Sequence, residues 1–541
     1  MKSIFKHNWI PLYLFPFLGG LLYASAFPIK GMPSFALGAI IGMGLLLSTL
    51  TFHSSEHDKR TLKGEILSVL AFSLGYNLLG YYWIPELLKV FGGLHAPFNY
   101  MVGWMFTLII TPHLIFFVLL KRLITKLSLK RATILANDEK RLLSFAILLT
   151  ILEYIIPQQF PAHMAHPWLW LAPYLGPVKF FGAPLYSFVS FALALFIAFF
   201  MQTKRVTKLP LIVFSVTLVL GFFFPLSKTS SDSGESIKLR LVQGNIGNDL
   251  KIHSEQGLQL ALSEVVQIYS GLSKKENGFE ADLTIWPETS YPRLLRSKSL
   301  KEMPSSTPYE FKSIIHQTNS ELYVGGYDLS DRRNDFYFET QYNAAFFFNS
   351  KMELADVYRK RILIPFGESL PFGPLNQTLA KMIQNISFFA RGERFPLFST
   401  KNGHNFNTAI CYEILFSNFI RSYFNANEEL PDFIINITND SWYGNTSEPL
   451  QHLFLSHWRA LEFDTPVVRV TNTGITSVLH EDGSESERLE YHTKGTLDIT
   501  LPIRETKEKT FFQIVGFYGM FMIWIGLFAF LVLIRKRKTS S

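Results

Sequence analysis

Three short stretches carry side chains that together could run covalent acyl transfer: Leu283-Thr-Ile-Trp-Pro-Glu288, Tyr358-Arg-Lys360-Arg-Ile-Leu-Ile-Pro-Phe-Gly-Glu368 and Thr408-Ala-Ile-Cys411-Tyr-Glu413. Each puts an ionisable residue at the end of an apolar run, and sites in α/β sheets collect where strands end. In such chemistry the thiol attacks a carbonyl carbon, a carboxylate takes the thiol proton, and an ammonium meets the developing oxyanion. The thiol needs that help, because at a pKa of about 8.5 only a few per cent is thiolate near pH 7. Cys411 is the sole cysteine. That excludes an intrachain disulfide and leaves an inert buried residue or a reactive thiol. Taken singly, Glu288 also reads as a turn residue after Trp-Pro. Lys360, between Arg359 and Arg361, also reads as part of a solvated basic edge.

The elements that must position these residues are short, β-branched or aromatic runs bounded by Gly, Pro, Asn or Asp. They predict strands at Lys238–Asn245, Asp282–Pro287, Leu322–Tyr327, Ala344–Phe348, Asn407–Tyr412, Phe433–Thr438, Val467–Thr471 and Thr496–Ile499. Stretches long enough for helices, such as 253–274, lie between several of them, which argues for a layered α/β domain over 237–505. The Ser-rich stretch 229–236 reads as the linker before it.

The rest of the chain is of a different kind. Of 541 residues, 48% are apolar and only 17% charged, against about 25% charged in an ordinary soluble chain. That excludes a disordered protein and requires a bilayer to take some of the apolar surface. A bilayer core needs about 20 mostly apolar residues per helix. Suitable runs lie at 8–29, 31–52, 66–85, 96–120, 142–157, 180–203 and 209–227, and an eighth at 511–534. The first run leads straight into a second span and lacks a cleavage site, so it does not read as a cleaved signal peptide. Glu153, costly in hydrocarbon, is either functional or an interface-facing carboxylate.

Basic residues concentrate in alternate loops: Lys59, Arg60 and Lys63; Lys121 to Arg141; Lys204, Arg205 and Lys208; and the tail Arg535–Lys538. By the positive-inside rule both termini are cytoplasmic and 237–505 lies on the far, periplasmic side. The net charge of +8 then belongs to cytoplasmic loops and not to a nucleic-acid partner. The expected organisation is a membrane domain over 1–228, the linker 229–236, the catalytic domain 237–505, and a last span with a basic tail over 506–541.

The segment 237–505 resembles the carbon–nitrogen hydrolase (nitrilase) superfamily. The whole chain resembles its integral-membrane branch, the apolipoprotein N-acyltransferases. The resemblance rests on Val242-Gln-Gly-Asn-Ile246, Ile285-Trp-Pro-Glu288, Tyr342-Asn343, and Lys360 through Pro365-Phe-Gly-Glu368. It continues in Ile410-Cys-Tyr-Glu413, Thr438-Asn-Asp-Ser-Trp442, Arg459-Ala-Leu-Glu462 and Arg469-Val-Thr-Asn472-Thr-Gly-Ile-Thr476. In the membrane part, Trp83 and Phe91-Gly-Gly93 look like the family's third helix and its exit loop.

The resemblance implies eight transmembrane helices plus a periplasmic αββα sandwich. It implies Glu288 as general base, Lys360 as the oxyanion-side amine and Cys411 as nucleophile. Glu368 and Glu413 then orient Lys360 and shape the pocket, or serve structure alone. Tyr412 flanks the nucleophile, and Trp442 packs acyl chain or simply its own loop.

The implied reaction takes an acyl chain from a phospholipid, usually phosphatidylethanolamine, onto Cys411. It then passes the chain to the α-amino group of a diacylglyceryl-cysteine on an apolipoprotein in the bacterial inner membrane, the last step of lipoprotein maturation. No cofactor or metal is implied. One departure is Phe160-Pro161-Ala162, where the family carries Phe-Pro-Trp. His163 and His166 in that loop read as loop or interface residues, because two His without a third ligand make a weak zinc signal. The rival readings are a membrane-anchored nitrilase-type amidase, an acyltransferase with another amine acceptor, and a transporter. A transporter leaves the three motifs unexplained, and the spans are poor in midplane charge.

Overall fold

The computed structural model describes residues 10–51, 61–90, 93–131, 137–158, 160–226, 234–274, 277–330, 340–365, 367–370, 373–376, 378, 388–505 and 507–533. Most of the expected linker, the basic tail, Lys59, Arg60 and the Phe91-Gly92 pair lie outside these. The chain separates into two compact units. One comprises Met1–Pro85, His95–Leu226 and Thr510–Ser541; the other comprises Glu86–Leu94 and Ser227–Lys509.

The first unit is helical. Its main helices are Phe15–Ala24, Leu37–Leu50, Leu62–Gly80, Pro112–Arg131, Asp138–Ile155, Ala183–Thr203, Leu209–Phe223 and Phe511–Leu533. Three described stretches are long and apolar enough to cross a membrane: Phe98–Lys126, Ala183–Thr203 and Phe511–Phe530. A fourth is obtained if Leu62–Gly80 and Ile84–Val90, bent by 62°, count as one broken span. The helices at Leu12–Ala24, Leu37–Leu50 and Leu209–Phe223 are apolar but shorter.

Small residues let these helices touch backbone to backbone, as they do where lipid supplies no hydrophobic drive. A Cβ on Gly42 would lie 2.2 Å from the carbonyl oxygen of Gly19, and one on Gly20 would lie 2.0 Å from that of Phe72. Among the described residues, the buried carboxylate Glu65 is paired with two cations. Glu65 accepts from Lys121 Nζ at 2.7 Å and Arg122 Nε at 2.6 Å. Glu153 accepts the backbone N–H of Met164 at 2.8 Å and so pins the loop that holds the Phe160-Pro161-Ala162 departure. In that loop Phe160 packs edge-on to Trp83, the His163 and His166 rings stack at 5.2 Å, and Ala162 O accepts the Tyr23 hydroxyl at 2.9 Å.

The second unit is built on two sheets. The strands are β1 (Ser236–Gln243), β2 (Leu283–Ile285), β3 (Leu294–Leu295), β4 (Glu321–Leu329), β5 (Gln341–Phe348) and β6 (Leu354–Arg359). They continue with β7 (Phe398–Ser399), β8 (Asn405–Ile410), β9 (Phe433–Thr438), β10 (Val467–Thr471), β11 (Ser477–Leu479) and β12 (Gly495–Pro502). One sheet runs β12-β1-β2-β4-β5-β6, with β3 beside β4; the other runs β11-β10-β9-β8-β7. Both are mixed: β1, β2 and β4 are parallel, as are β8, β9 and β10, while the outer strands are antiparallel.

Strand alternation explains the layers. Tyr323 and Phe347 point to the other sheet and pack edge-on against Phe398 and Phe406 at 5.4 to 5.9 Å. Their neighbours Leu322, Val324, Phe346 and Phe348 point the opposite way, into a core with Trp286, Phe311 and Tyr269. That core lies under the helices Gln259–Ser273 and Tyr309–Thr318. Helices Ser417–Asn425 and Glu448–Phe463 pack together in the same way through Phe424 and Phe463. With both faces covered, the central strands are buried along their length and mostly apolar, which is why they read as runs.

Candidate active site

Three strand ends deliver the expected residues. Glu288 follows β2 in a turn that packs on β4 at Gly325, where a Cβ would lie 2.2 Å from Pro287 O. Lys360 directly follows β6 and donates its backbone N–H to Asn343 O of β5 at 2.8 Å. Cys411 directly follows β8 and opens the short helical turn Cys411–Leu415 with φ +54°. That left-handed conformation costs a non-glycine residue about 1–3 kcal/mol and persists only when the surroundings over-determine it. Here Asn436 Nδ2 from β9 donates to Cys411 O at 3.2 Å and to Ala409 O at 3.0 Å. The sequence turns sharply there and leaves the thiol at the head of the strand.

The side chains converge. Lys360 Nζ donates to Glu368 Oε1 at 2.8 Å and to Glu288 Oε1 at 3.2 Å, with Lys360 wholly buried. Asn343 Nδ2 bridges the same two oxygens, at 2.7 Å to Glu288 and 3.1 Å to Glu368. The other oxygen of Glu288 accepts the backbone N–H of Asn439 at 2.8 Å, and that of Glu368 accepts Ile364 N–H at 2.9 Å.

Burial works to lower the Lys360 pKa, but the charges of Glu288 and Glu368 overcome it and hold the ammonium well above its ordinary value. Burial pushes the Cys411 thiol up, the charge of Glu288 pushes it further, and Lys360 opposes both. The resting group is therefore a thiol, and its proton needs an acceptor. The Thr438 hydroxyl nearby donates to Asp440 Oδ1 at 3.2 Å.

Glu413 takes a different post. Its Oε1 accepts the backbone N–H groups of Arg361 at 2.7 Å and Ile362 at 2.8 Å, and its Oε2 accepts Ile410 N–H at 2.8 Å. The Tyr358 hydroxyl reaches both oxygens, at 2.9 and 2.8 Å. One buried carboxylate thus ties the exit of β6, just past Lys360, to the exit of β8, just before Cys411. Burial raises its pKa to about 7 against those backbone donors. Tyr412 packs edge-on to Phe416 at 4.7 Å. Trp442 is half-buried in the helical turn Asp440–Tyr443, immediately beyond the Asn439 that binds Glu288. Arg359 and Arg361 face elsewhere: Arg359 pairs with Asp328, and Arg361 lies over the Phe395 ring at 3.7 Å.

Behind Asn439, Asp440, Glu448 and His452 place ligand-type atoms within 4.8 Å of one another. Arg469 already stands there, with Nη2 3.1 Å from Asp440 Oδ2 and 3.3 Å from His452 Nδ1. A guanidinium in that position repels a second cation, so the group fits a buried ion-pair network and not a metal centre.

Several members of the constellation are not evident from residue type. Asn343 stands in a recognisable Tyr-Asn motif, but its bridging role needs β5 beside β6. Asn439 acts through its backbone, which residue type does not disclose. Tyr358 opens the second stretch without any sign of a carboxylate partner 55 residues on.

A family model described as carbon-nitrogen hydrolase matches residues 238–508, just over half of the chain. A second, the apolipoprotein N-acyltransferase N-terminal domain, matches residues 19–198. The apolipoprotein N-acyltransferase of Shewanella oneidensis is 28% identical over 498 residues, 88% of this chain and 88% of its own. That of Bdellovibrio bacteriovorus is 27% identical over 472 residues, covering 83% and 82%. Among solved structures, an amidase of Nesterenkonia from the nitrilase superfamily is 15% identical and aligns over 53% of this chain and 97% of its own, with a TM-score of 0.35. With its matches on both sides of residue 200, the chain belongs to the carbon–nitrogen hydrolase family, and it carries in front of that domain the N-terminal domain of the apolipoprotein N-acyltransferases.

Proposed function

We propose that this chain moves an acyl group from a membrane phospholipid to the N-terminal diacylglyceryl-cysteine of apolipoproteins through a thioester on Cys411. The observation that carries the reading is the single ammonium, Lys360, bonded at once to Glu288 and Glu368, with the buried Cys411 thiol in the field of both Glu288 and Lys360.

In the first half-reaction Glu288 accepts the Cys411 proton as the sulfur bonds to the ester carbonyl carbon. The oxyanion forms toward Lys360, and collapse expels the lysophospholipid alkoxide, which takes the proton back from Glu288. In the second, the α-amino nitrogen attacks the thioester carbonyl and gives its proton to Glu288. The C–S bond breaks, and the Cys411 thiolate takes that proton from Glu288, which restores both resting groups. Glu368 has a specific use here. While Glu288 holds the proton, Glu368 still pairs with Lys360, so the ammonium keeps a counter-charge throughout. Water must be kept from the intermediate, or the outcome is hydrolysis.

The donor is phosphatidylethanolamine, and the site lies in 237–505 on the periplasmic side of the inner membrane. The membrane domain spans 1–228, the linker 229–236, and the last helix with its tail 506–541. The chain makes eight crossings, with both termini cytoplasmic. The alternation of basic loops supports this topology, and the shorter helices then cross where the bilayer thins around them. A cysteine placed in 121–141 of a Cys411→Ser chain stays unlabelled from outside in spheroplasts; labelling there contradicts the arrangement.

The function itself is tested by isolating the acylated protein, removing the phospholipid, and adding a diacylglyceryl-cysteine lipopeptide. The acyl group moves from Cys411 to the peptide amine. Transfer only to water or to a small amine contradicts the reading and favours an amidase.

A further inference from the structure

One buried cation near the site has no part in the proton transfers above. Lys251, on the helix Asn248–Glu255, donates from Nζ to Thr289 O at 2.8 Å and to Thr289 Oγ1 at 2.6 Å. It also pairs with Glu255 Oε1 at 3.0 Å, and Glu255 accepts the Tyr327 hydroxyl. Its ammonium therefore has three partners, two of them on one residue, the one that follows Glu288.

Thr289 has φ +48°. A β-branched residue in the left-handed region is an outlier that must be held there. Lys251 grips that residue by both its carbonyl and its hydroxyl. The same helix reaches the opposite side of Glu288, because Asn248 Nδ2 donates to Ser441 O at 3.0 Å, two residues past the Asn439 N–H that binds Glu288 Oε2.

We propose that Lys251 is the positioning residue of the base: it clamps Thr289 in a left-handed turn and thereby fixes the direction of the Glu288 carboxylate. The inference rests on Glu288 serving as the base. Lys251 touches neither the thiol nor Lys360; it acts through the turn.

The test uses the full chain in mixed micelles with phosphatidylethanolamine, reading the acyl adduct on Cys411 by mass in a single turnover. Lys251→Met lowers the rate at saturating donor by about 10- to 100-fold, the scale of losing hydrogen bonds from a charged group. The donor concentration giving half the rate stays within about 2-fold, because the lost interaction is not with substrate. Glycine adopts the left-handed turn without strain. Thr289→Gly alone therefore keeps the rate within about 3-fold of wild type, and added to Lys251→Met it restores at least about 5-fold.

A Lys251→Met rate within 2-fold of wild type overturns the proposal. So does a loss that Thr289→Gly does not relieve, since a clamp on a strained turn is relieved there and a bare electrostatic effect is not. If Lys251→Met does not fold, Glu255→Gln is the substitute. It gives a smaller loss, about 3- to 10-fold, relieved by the same glycine. No loss, or an unrelieved one, overturns the proposal. A wild-type chain that forms no thioester overturns the function and this inference with it. A normal wild-type rate with either failure above overturns the inference alone.

Discussion

The two units bury charge in opposite ways. In the helical unit the buried carboxylates are few and face one or two donors, and close packing comes from glycines that bring backbones together. In the α/β unit the buried charges form connected networks. Glu288, Lys360, Glu368 and Asn343 make one. Glu413 ties two strand exits. Asp440, Arg469 and His452 make a third. A charge in a low-dielectric interior is costly unless paired on every side. The first unit avoids that cost by composition, whereas the second offsets it by geometry. The proposed chemistry draws on the networks of the second, so mutations in the two should fail in different ways.

The sharpest break of that contrast comes from Cys411, the proposed nucleophile. Cys411→Ala should abolish both the acyl adduct and transfer, while thermal unfolding stays near wild type because one small buried side chain replaces another. Glu288→Gln keeps the shape and removes the acceptor, at a cost of about 10²–10⁴ in the rate of adduct formation.

Its pH dependence is the finer readout. The Cys411 pKa is raised, so thiolate is scarce near neutrality. Below that pKa the thiolate fraction grows about tenfold per pH unit. The residual Glu288→Gln rate should therefore climb steadily between about pH 6 and 9, where thiolate supply limits it, and a flat profile would place the base elsewhere.

Lys360→Met comes next, at about 10²–10³, the scale of losing one oxyanion donor. Combined with Glu288→Gln it should be far less than additive, because both act on one transition state. Lys360→Arg should not restore the rate, since a planar guanidinium cannot stand in for a point charge.

In the helical unit the effect should be smaller and of another kind. Gly20→Ala drives a methyl into the Phe72 carbonyl, and overpacking of this sort costs about 1–3 kcal/mol. The protein should melt earlier, yet each folded molecule should acylate Cys411 at the normal rate. The smallest effect belongs to Arg359→Gln. It loses the ion pair to Asp328 on the far side of the strand and should leave acylation within a few-fold of wild type. A loss of acylation larger than that of Lys360→Met would mean the wrong cation has been assigned.

What could be read from sequence followed the same divide. Phe433–Thr438 and Val467–Thr471 are strands over the expected residues because they are mostly β-branched, buried on both faces and end at turn formers. β3 and β7 are two residues long, and β6 mixes Asp and Arg into its length, so no periodicity marks them. In the helical unit, hydropathy marks the runs but not the helix ends. Among its described residues, the run at 8–29 holds an α-helix over Phe15–Ala24, bounded by a wider turn at Ile10–Leu14 and by the chain leaving helix before Pro28. Glu368 was legible as a partner of Lys360 only through the motif resemblance, which marks Glu413 equally. The targets of Glu413 were not, because they are backbone N–H groups set by how β6 and β8 meet.

The most direct measurement is the mass of Cys411 after the protein meets phosphatidylethanolamine with no acceptor. The account requires one acyl mass on that residue, removed by neutral hydroxylamine, formed by the wild type and by Arg359→Gln but not by Cys411→Ser. An acyl group on any other residue, or a Cys411→Ala chain that still acylates lipopeptide at the normal rate, would contradict it.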